Sequence, residues 1–140
     1  MKVKLTLPDA KPPYRVNPDD AGADLISPKT VHIYPHTSEF IDLGVQIELP
    51  ENTVGYIFAR SGLGTKFGIR PRNCVGVIDQ KYRGNLRIMV ENASEEMYVI
   101  FKGDRIAQLV IQPVYTPEFE VVDKLDETDR GEGGFGSSGK

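Results

Sequence analysis

The stretch FIDLGVQIELP, residues 40–50, places Ile41, Leu43, Val45, Ile47 and Leu49 at every second position, with Asp42, Gln46 and Glu48 between them. A period of two sends alternate side chains to opposite faces, which makes a half-buried strand and excludes an amphipathic helix. NLRIMVEN, residues 85–92, repeats the pattern, with Leu86, Ile88 and Val90 set against Arg87, Met89 and Glu91. Shorter strands are expected at Val3–Leu7, Val31–Tyr34, Val54–Ala59, Tyr98–Phe101, Ile106–Val114 and Phe119–Val122. Gly and Pro punctuate the gaps between them, as in SPKT, LPEN and KGDR. Nowhere does a 3.6-residue period persist; SGLGTKFG has room for one helical turn, and its glycines argue against more. Many short strands separated by turns make an all-β protein: a sandwich, a jelly roll or a small barrel.

Length and charge narrow the rest. A chain of 140 residues is one domain by size and hides roughly two-thirds of its unfolded surface. The net charge of −3 gives no global basic field, so neither nucleic acid nor an anionic membrane is an expected partner, and any phosphate must be held by local arginines. The single cysteine, Cys74, permits no internal disulfide and fits a reducing compartment. With no charged-then-apolar leader and no apolar run of about 18 residues, the expectation is a soluble cytoplasmic protein.

Five places carry polar residues that strand alternation does not explain. In CVGVIDQKYRGNL, Asp79 follows an apolar run and precedes a Tyr-Arg-Gly turn. Either it starts a hairpin in which Gly84 supplies positive φ, or it is a carboxylate at the mouth of a pocket with Tyr82 packed beside it, able to act as a general base toward water. In ARSGLGTKFG, Arg60 and Ser61 end a strand at a glycine-rich loop, which is either a plain junction or an anion site built from backbone N–H groups, a hydroxyl and a guanidinium. Asp24 in AGADLISP is a turn residue or a site carboxylate. Gln108 lies inside the apolar strand GDRIAQLVI, so its amide must be hydrogen-bonded, as a structural bridge or toward a ligand. In RGEGGFGSSGK, residues 130–140, five of eleven positions are glycine, around Arg130 and Phe135. That is a disordered terminus, or an arm whose glycines let backbone approach a ligand closely.

Taken in chain order, AGADL, RSGLG, NCVGVIDQKYRG, GDRIAQLVI and RGEGGFGSSG resemble the five motifs of the homotrimeric dUTPase family, from residue 21 to 139. The resemblance implies a distorted jelly-roll or β-barrel subunit, residues 1–127, with a flexible glycine-rich arm at 128–140, assembled as a three-fold trimer whose sites lie at subunit interfaces. It implies hydrolysis of dUTP to dUMP and pyrophosphate by water attacking the α-phosphate, with Mg2+ on the triphosphate. That reaction keeps uracil out of DNA and supplies dUMP for thymidylate. By the same resemblance Asp79 activates the water, and Tyr82 packs under the deoxyribose and excludes a 2′-hydroxyl. Asn73 reads the uracil edge together with the arm that starts at Arg87 and includes Met89. Gly76, Val77 and Ile78 fall in the same substrate-binding motif. Arg60, Ser61, Gly62 and Gln108 match the phosphate-binding positions. Asp24 matches the acid that touches the metal through water, while Arg130, Phe135 and Gly136 match the arm that clamps the terminal phosphate and stacks on the base. Phe135 then has no core to join because its partner is the nucleobase. Lys81 departs from the acid or glycine of many members and is expected to alter the charge around Asp79. A dCTP deaminase shares the fold and would need a glutamate such as Glu91 at the base ring; the match to that motif is poor.

Overall fold

The structure, a computed structural model, describes residues 1–134; Phe135 and Gly136 lie outside the described residues. It contains eleven strands and one helix: β1 (Lys2–Leu5), β2 (Ala23–Ile26), β3 (Val31–Ile33), β4 (Ser38–Asp42), β5 (Val45–Glu48), β6 (Thr53–Phe58), α1 (Ser61–Phe67), β7 (Ile69–Pro71), β8 (Gly76–Ile78), β9 (Arg87–Asn92), β10 (Tyr98–Ile100) and β11 (Arg105–Pro113). All the ladders are antiparallel. They form a four-stranded sheet in the order β2-β11-β6-β8, a three-stranded sheet β4-β9-β7, and the pairs β1-β5 and β10-β3. The sheets pack around one core and do not close on themselves, so the expectation of a jelly roll holds and that of a barrel does not.

The two alternating stretches build the core as their period requires. Ile41, Leu43, Val45, Ile47 and Leu49 are all buried, as are Leu86, Ile88 and Val90. FIDLGVQIELP is nevertheless two strands. Gly44 takes φ +65, a conformation costly for residues with a Cβ, and breaks the run into β4 and β5 without disturbing which face is buried. A Cβ there would also lie 2.7 Å from the side chain of Leu7. At the other end of β9, the fully buried Asn92 amide donates to the carbonyls of Ile33 (2.9 Å) and Glu96 (2.7 Å), and its oxygen accepts from the Ser94 N–H and hydroxyl. A buried amide with every group matched fixes the turn toward β10.

Two expectations need correction. SGLGTKFG forms a seven-residue helix, closed by Gly68 at φ +66, because tertiary contacts outweigh the propensity cost of its glycines. Phe119–Val122 forms no strand: Phe119 is 96% and Val121 99% exposed, and among the described residues no strand pairs with them. Apolar alternation promises burial, but only a partner ladder can deliver it.

Candidate active site

The candidate residues divide between two clefts, and local folding explains each. β6 ends at Phe58, and Arg60 stays extended (φ −80, ψ 134) as the first residue before α1, whose opening turn begins with Gly64 N–H donating to the Arg60 carbonyl at 2.9 Å. This corner turns the Arg60 side chain toward β2, where its Nε lies 2.8 Å from Asp24 Oδ1. From the start of β11, Arg105 Nη1 reaches the other oxygen, Asp24 Oδ2, at 3.0 Å. Asp24 is the more buried partner, with 14% of its side chain exposed, so its carboxylate holds two guanidinium groups in fixed positions at a cleft wall. The hydrogen bond that Arg105 donates to Asp24, and then the negative charge of Asp24, raises the Arg105 guanidinium above its ordinary value.

Gln108 stands opposite Asp24 on one side and Phe58 on the other, in the middle of the β2-β11-β6 ladders. Its Nε2 donates to the Ala59 carbonyl at 2.9 Å, and its amide packs so closely on Gly22 that a Cβ there would meet the Gln108 Cδ at 3.1 Å. The glutamine bridges strands, the first of its two readings, and it also lines a cleft. That cleft, of about 400 Å³, collects Asp20, Gly22, Asp24, Arg60, Ser61, Gly62, Arg105 and Gln108. Gly62 has open space where a side chain would stand. Two guanidinium groups, a hydroxyl and an amide face this open space, beside the carboxylates of Asp20 and Asp24.

The second cleft, of about 270 Å³, is lined by Phe40, Val77, Ile78, Asp79, Tyr82, Asn85 and Arg87. It is a slot with apolar walls and one exposed carboxylate. β8 delivers Val77 and Ile78 to it, and the turn after β8 brings Tyr82 back, its N–H donating to the Asp79 carbonyl at 3.0 Å. The Tyr82 hydroxyl donates to the Asn85 carbonyl at 2.9 Å. Gly84 does not supply the positive φ expected of it; its role is space, because a Cβ there would fall 2.6 Å from Tyr82 Cζ. The turn and the pocket are thus one feature, with Asp79 at its mouth. Lys81 is exposed and forms no ion pair with Asp79, so the altered charge expected from Lys81 has no direct contact behind it.

The remaining candidates stand apart. Asn73 is exposed, with Nδ2 donating to the Val75 carbonyl at 3.2 Å, and it lines neither cleft. Gly76 begins β8 against Ile57, and a Cβ there would stand 3.2 Å from that residue's Cβ. Met89 faces outward opposite Phe40 across β4 and β9. Arg130 is exposed and folds onto its own segment, Nε donating to the Gly133 carbonyl at 2.9 Å. Glu91 pairs with Arg70 at 3.2 Å on β7 and lies outside the slot, which leaves the deaminase reading without its base.

Reading the sequence missed Arg105, Asn85 and Phe40. Arg105 carries a signal in hindsight, as a cation opening an apolar strand three positions before Gln108; Phe40 and Asn85 carry none beyond strand edges.

The donors suit a divalent cation carried by a ligand better than one caged by protein. Among the described residues no group of three His, Cys, Asp or Glu side chains converges on one point. Each Asp24 oxygen accepts one arginine and keeps a free lone pair, enough to hold a water of a magnesium ion whose other ligands are phosphate oxygens.

The chain is 44% identical over 140 residues to a deoxyuridine 5′-triphosphate nucleotidohydrolase of Clostridium tetani, covering all of this chain and 97% of that one. It is 47% identical over 133 residues to the corresponding protein of Rhodococcus erythropolis, with 94% and 81% covered. Among solved structures, the Staphylococcus bacteriophage 80alpha dUTPase with dUPNHPP superposes with a TM-score of 0.92 at 35% identity, over 99% of this chain and 98% of that one. A mutant dUTPase from phage phi11 of S. aureus, described with a structural Mg(II) ion, superposes with a TM-score of 0.81 at 32% identity, over 88% and 96%. The model of the dUTPase family matches residues 9–139, a span that holds both clefts and all five motifs; the chain belongs to the dUTPase family.

Proposed function

We propose that the protein hydrolyses dUTP to dUMP and pyrophosphate, with water attacking the α-phosphate. The observation that carries the proposal is the pairing of an aromatic-walled slot bearing one free carboxylate with a separate cleft bearing two braced arginines. A nucleoside triphosphate has the matching halves.

In this reading Asp79 accepts the proton of the attacking water as general base. Tyr82 packs under the deoxyribose and leaves no room for a 2′-hydroxyl. Asn73, Gly76, Val77, Ile78 and the β9 arm at Arg87 and Met89 surround the uracil, whose lack of a 5-methyl group admits it where thymine clashes. Arg60, Ser61, Gly62 and Gln108 hold the phosphates, and Arg105 joins them. Asp24 would hold a water of a divalent cation bound on the triphosphate, and that cation would supply charge neutralisation. Phosphoryl transfer asks mainly for positioning and charge neutralisation, which these groups provide. The arm at 128–140 closes over the nucleotide, with Arg130 on the terminal phosphate and Phe135 and Gly136 over the base.

The two clefts have no lining residue in common, and this supports a site completed between chains of a homotrimer. We assign the enzyme to the cytoplasm: its one cysteine is unpaired and exposed, as a reducing compartment allows, and among the described residues no helix is long and apolar enough to cross a membrane. There it would lower dUTP, keeping uracil out of DNA, and supply dUMP for thymidylate synthesis. Pyrophosphate release measured against each deoxynucleoside triphosphate and UTP tests the reading. Release from dUTP alone is expected; equal release from dTTP or dCTP overturns it.

A further inference from the structure

Asp42 lies at the end of β4, outside every motif and outside the lining of both clefts, yet it holds one of the densest polar networks in the chain. Its Oδ1 accepts from the Gly44 N–H at 2.8 Å and from Asn85 Nδ2 at 3.0 Å. Its Oδ2 accepts from the same Nδ2 at 3.1 Å and faces Arg87 Nε at 3.4 Å across the β4–β9 ladder. Asn85 is held from its other side by the Thr6 hydroxyl, 3.1 Å from its Oδ1. The backbone carbonyl of Asn85, not its side chain, is the acceptor for the Tyr82 hydroxyl. A single carboxylate therefore fixes the Asn85 side chain and, through the backbone that carries it, the one side-chain hydrogen bond that Tyr82 makes among the described residues, while also steering the guanidinium of Arg87 on the slot's wall.

We infer that Asp42 is a positioning residue for the sugar-sensing ring: it sets the tilt of Tyr82 through Asn85. The inference rests on the reading of Tyr82 as the group that packs against deoxyribose, and it adds the part of the fold that holds the ring still. Tyr82 is 41% exposed, so Gly84 packed against one side of its ring and the hydrogen bond at its tip are what hold its rotamer. A ring able to swing away admits a ribose hydroxyl. The carboxylate matters because its two oxygens accept from the Gly44 N–H, the Asn85 amide and the Arg87 guanidinium at once. An amide in its place turns an NH2 group toward either Asn85 or Arg87 and breaks one side of the network.

The test compares the wild type with Asp42→Asn and with the exchanged pair Asp42→Asn/Asn85→Asp, which restores a carboxylate facing an amide. Asp42→Asn is expected to raise kcat/KM for UTP relative to dUTP about tenfold, chiefly through KM for dUTP, with kcat lowered less than threefold. The exchanged pair is expected to recover most of the discrimination. A purely structural role would lower activity on both nucleotides equally and would not be rescued. The ring itself is read independently of turnover by 19F NMR of 3-fluorotyrosine-labelled protein, with the Tyr82 resonance identified from Tyr82→Phe. Asp42→Asn should shift or broaden that resonance, and the exchange should return it. An unmoved resonance together with an unchanged UTP-to-dUTP ratio overturns the inference. Absence of dUTP turnover in the wild type sinks the functional reading instead, and the resonance still decides whether Asp42 sets the ring.

Discussion

Asp79 is an exposed carboxylate at the mouth of an apolar slot, held by a turn whose geometry does not depend on its side chain. Asp79→Asn keeps nearly the same shape but cannot take a proton. Turnover is therefore expected to fall by about 10²–10⁴ while nucleotide binding and melting temperature stay near those of the wild type. Single-turnover kinetics beside a binding isotherm check this, and near-normal turnover removes Asp79 from its role. Tyr82 makes a different demand, because it works as a wall. Tyr82→Ala opens the slot and is expected to raise activity on UTP relative to dUTP by about tenfold or more, measured as the ratio of kcat/KM values. These two residues were legible in the sequence because a carboxylate and a tyrosine in a Tyr-Arg-Gly turn break strand alternation. Arg105 and Asn85 were not, since a charged residue at a strand end and an asparagine before a strand look like ordinary surface until their partners, 81 and 43 positions away, are known.

Strand assignment from a period of two was reliable for faces and poor for boundaries. The alternating Ile41, Leu43, Val45, Ile47 and Leu49 are all buried while Phe40 on the other parity is exposed, yet only three-dimensional contact with Leu7 shows why the ladder must break at Gly44. Gly44→Ala combines a Cβ at φ +65 with an overlap against Leu7 and shifts the N–H that Asp42 accepts. A destabilisation of about 2–3 kcal/mol is expected from those combined effects, seen as a lower urea midpoint with unchanged m. A loss under 0.5 kcal/mol would show that β1 and β5 shift apart readily to make room. The helix α1 was invisible for the opposite reason. No residue in it is fully buried, so it leaves no apolar stripe, and its start is set by where β6 must turn. Phe119–Val122 failed because a period of two records a face that wants covering and says nothing about which chain covers it.

Assembly supplies that cover in the trimer we propose. From Tyr115 to Leu125 the chain runs outside every sheet, with Tyr115 88%, Phe119 96%, Val121 99% and Leu125 80% exposed. Single apolar residues on a surface need no account, but a run of them asks for a partner. Sedimentation is expected to give one trimeric species at micromolar concentration, and an active monomer would refute the shared site. The glycine-rich arm follows a different rule. Residues 128–132 and Gly134 are exposed and their hydrogen bonds stay within the segment, so deleting residues 130–140 should leave the melting temperature of the nucleotide-free protein within about 2 °C. Turnover should fall further than for Phe135→Ala, for which a stacking contribution of about 1–3 kcal/mol predicts a loss of one to two orders of magnitude. A large drop in melting temperature on deletion would make the arm a structural strap. The exposed run before the arm has a further bearing on the living cell. A newly made chain that has not met its partners displays an extended, unpaired stretch of eleven residues from Tyr115 to Leu125, the form in which peptide bonds are most easily cleaved. If the proposed trimer forms, subunits that have not assembled are expected to be cleaved there first.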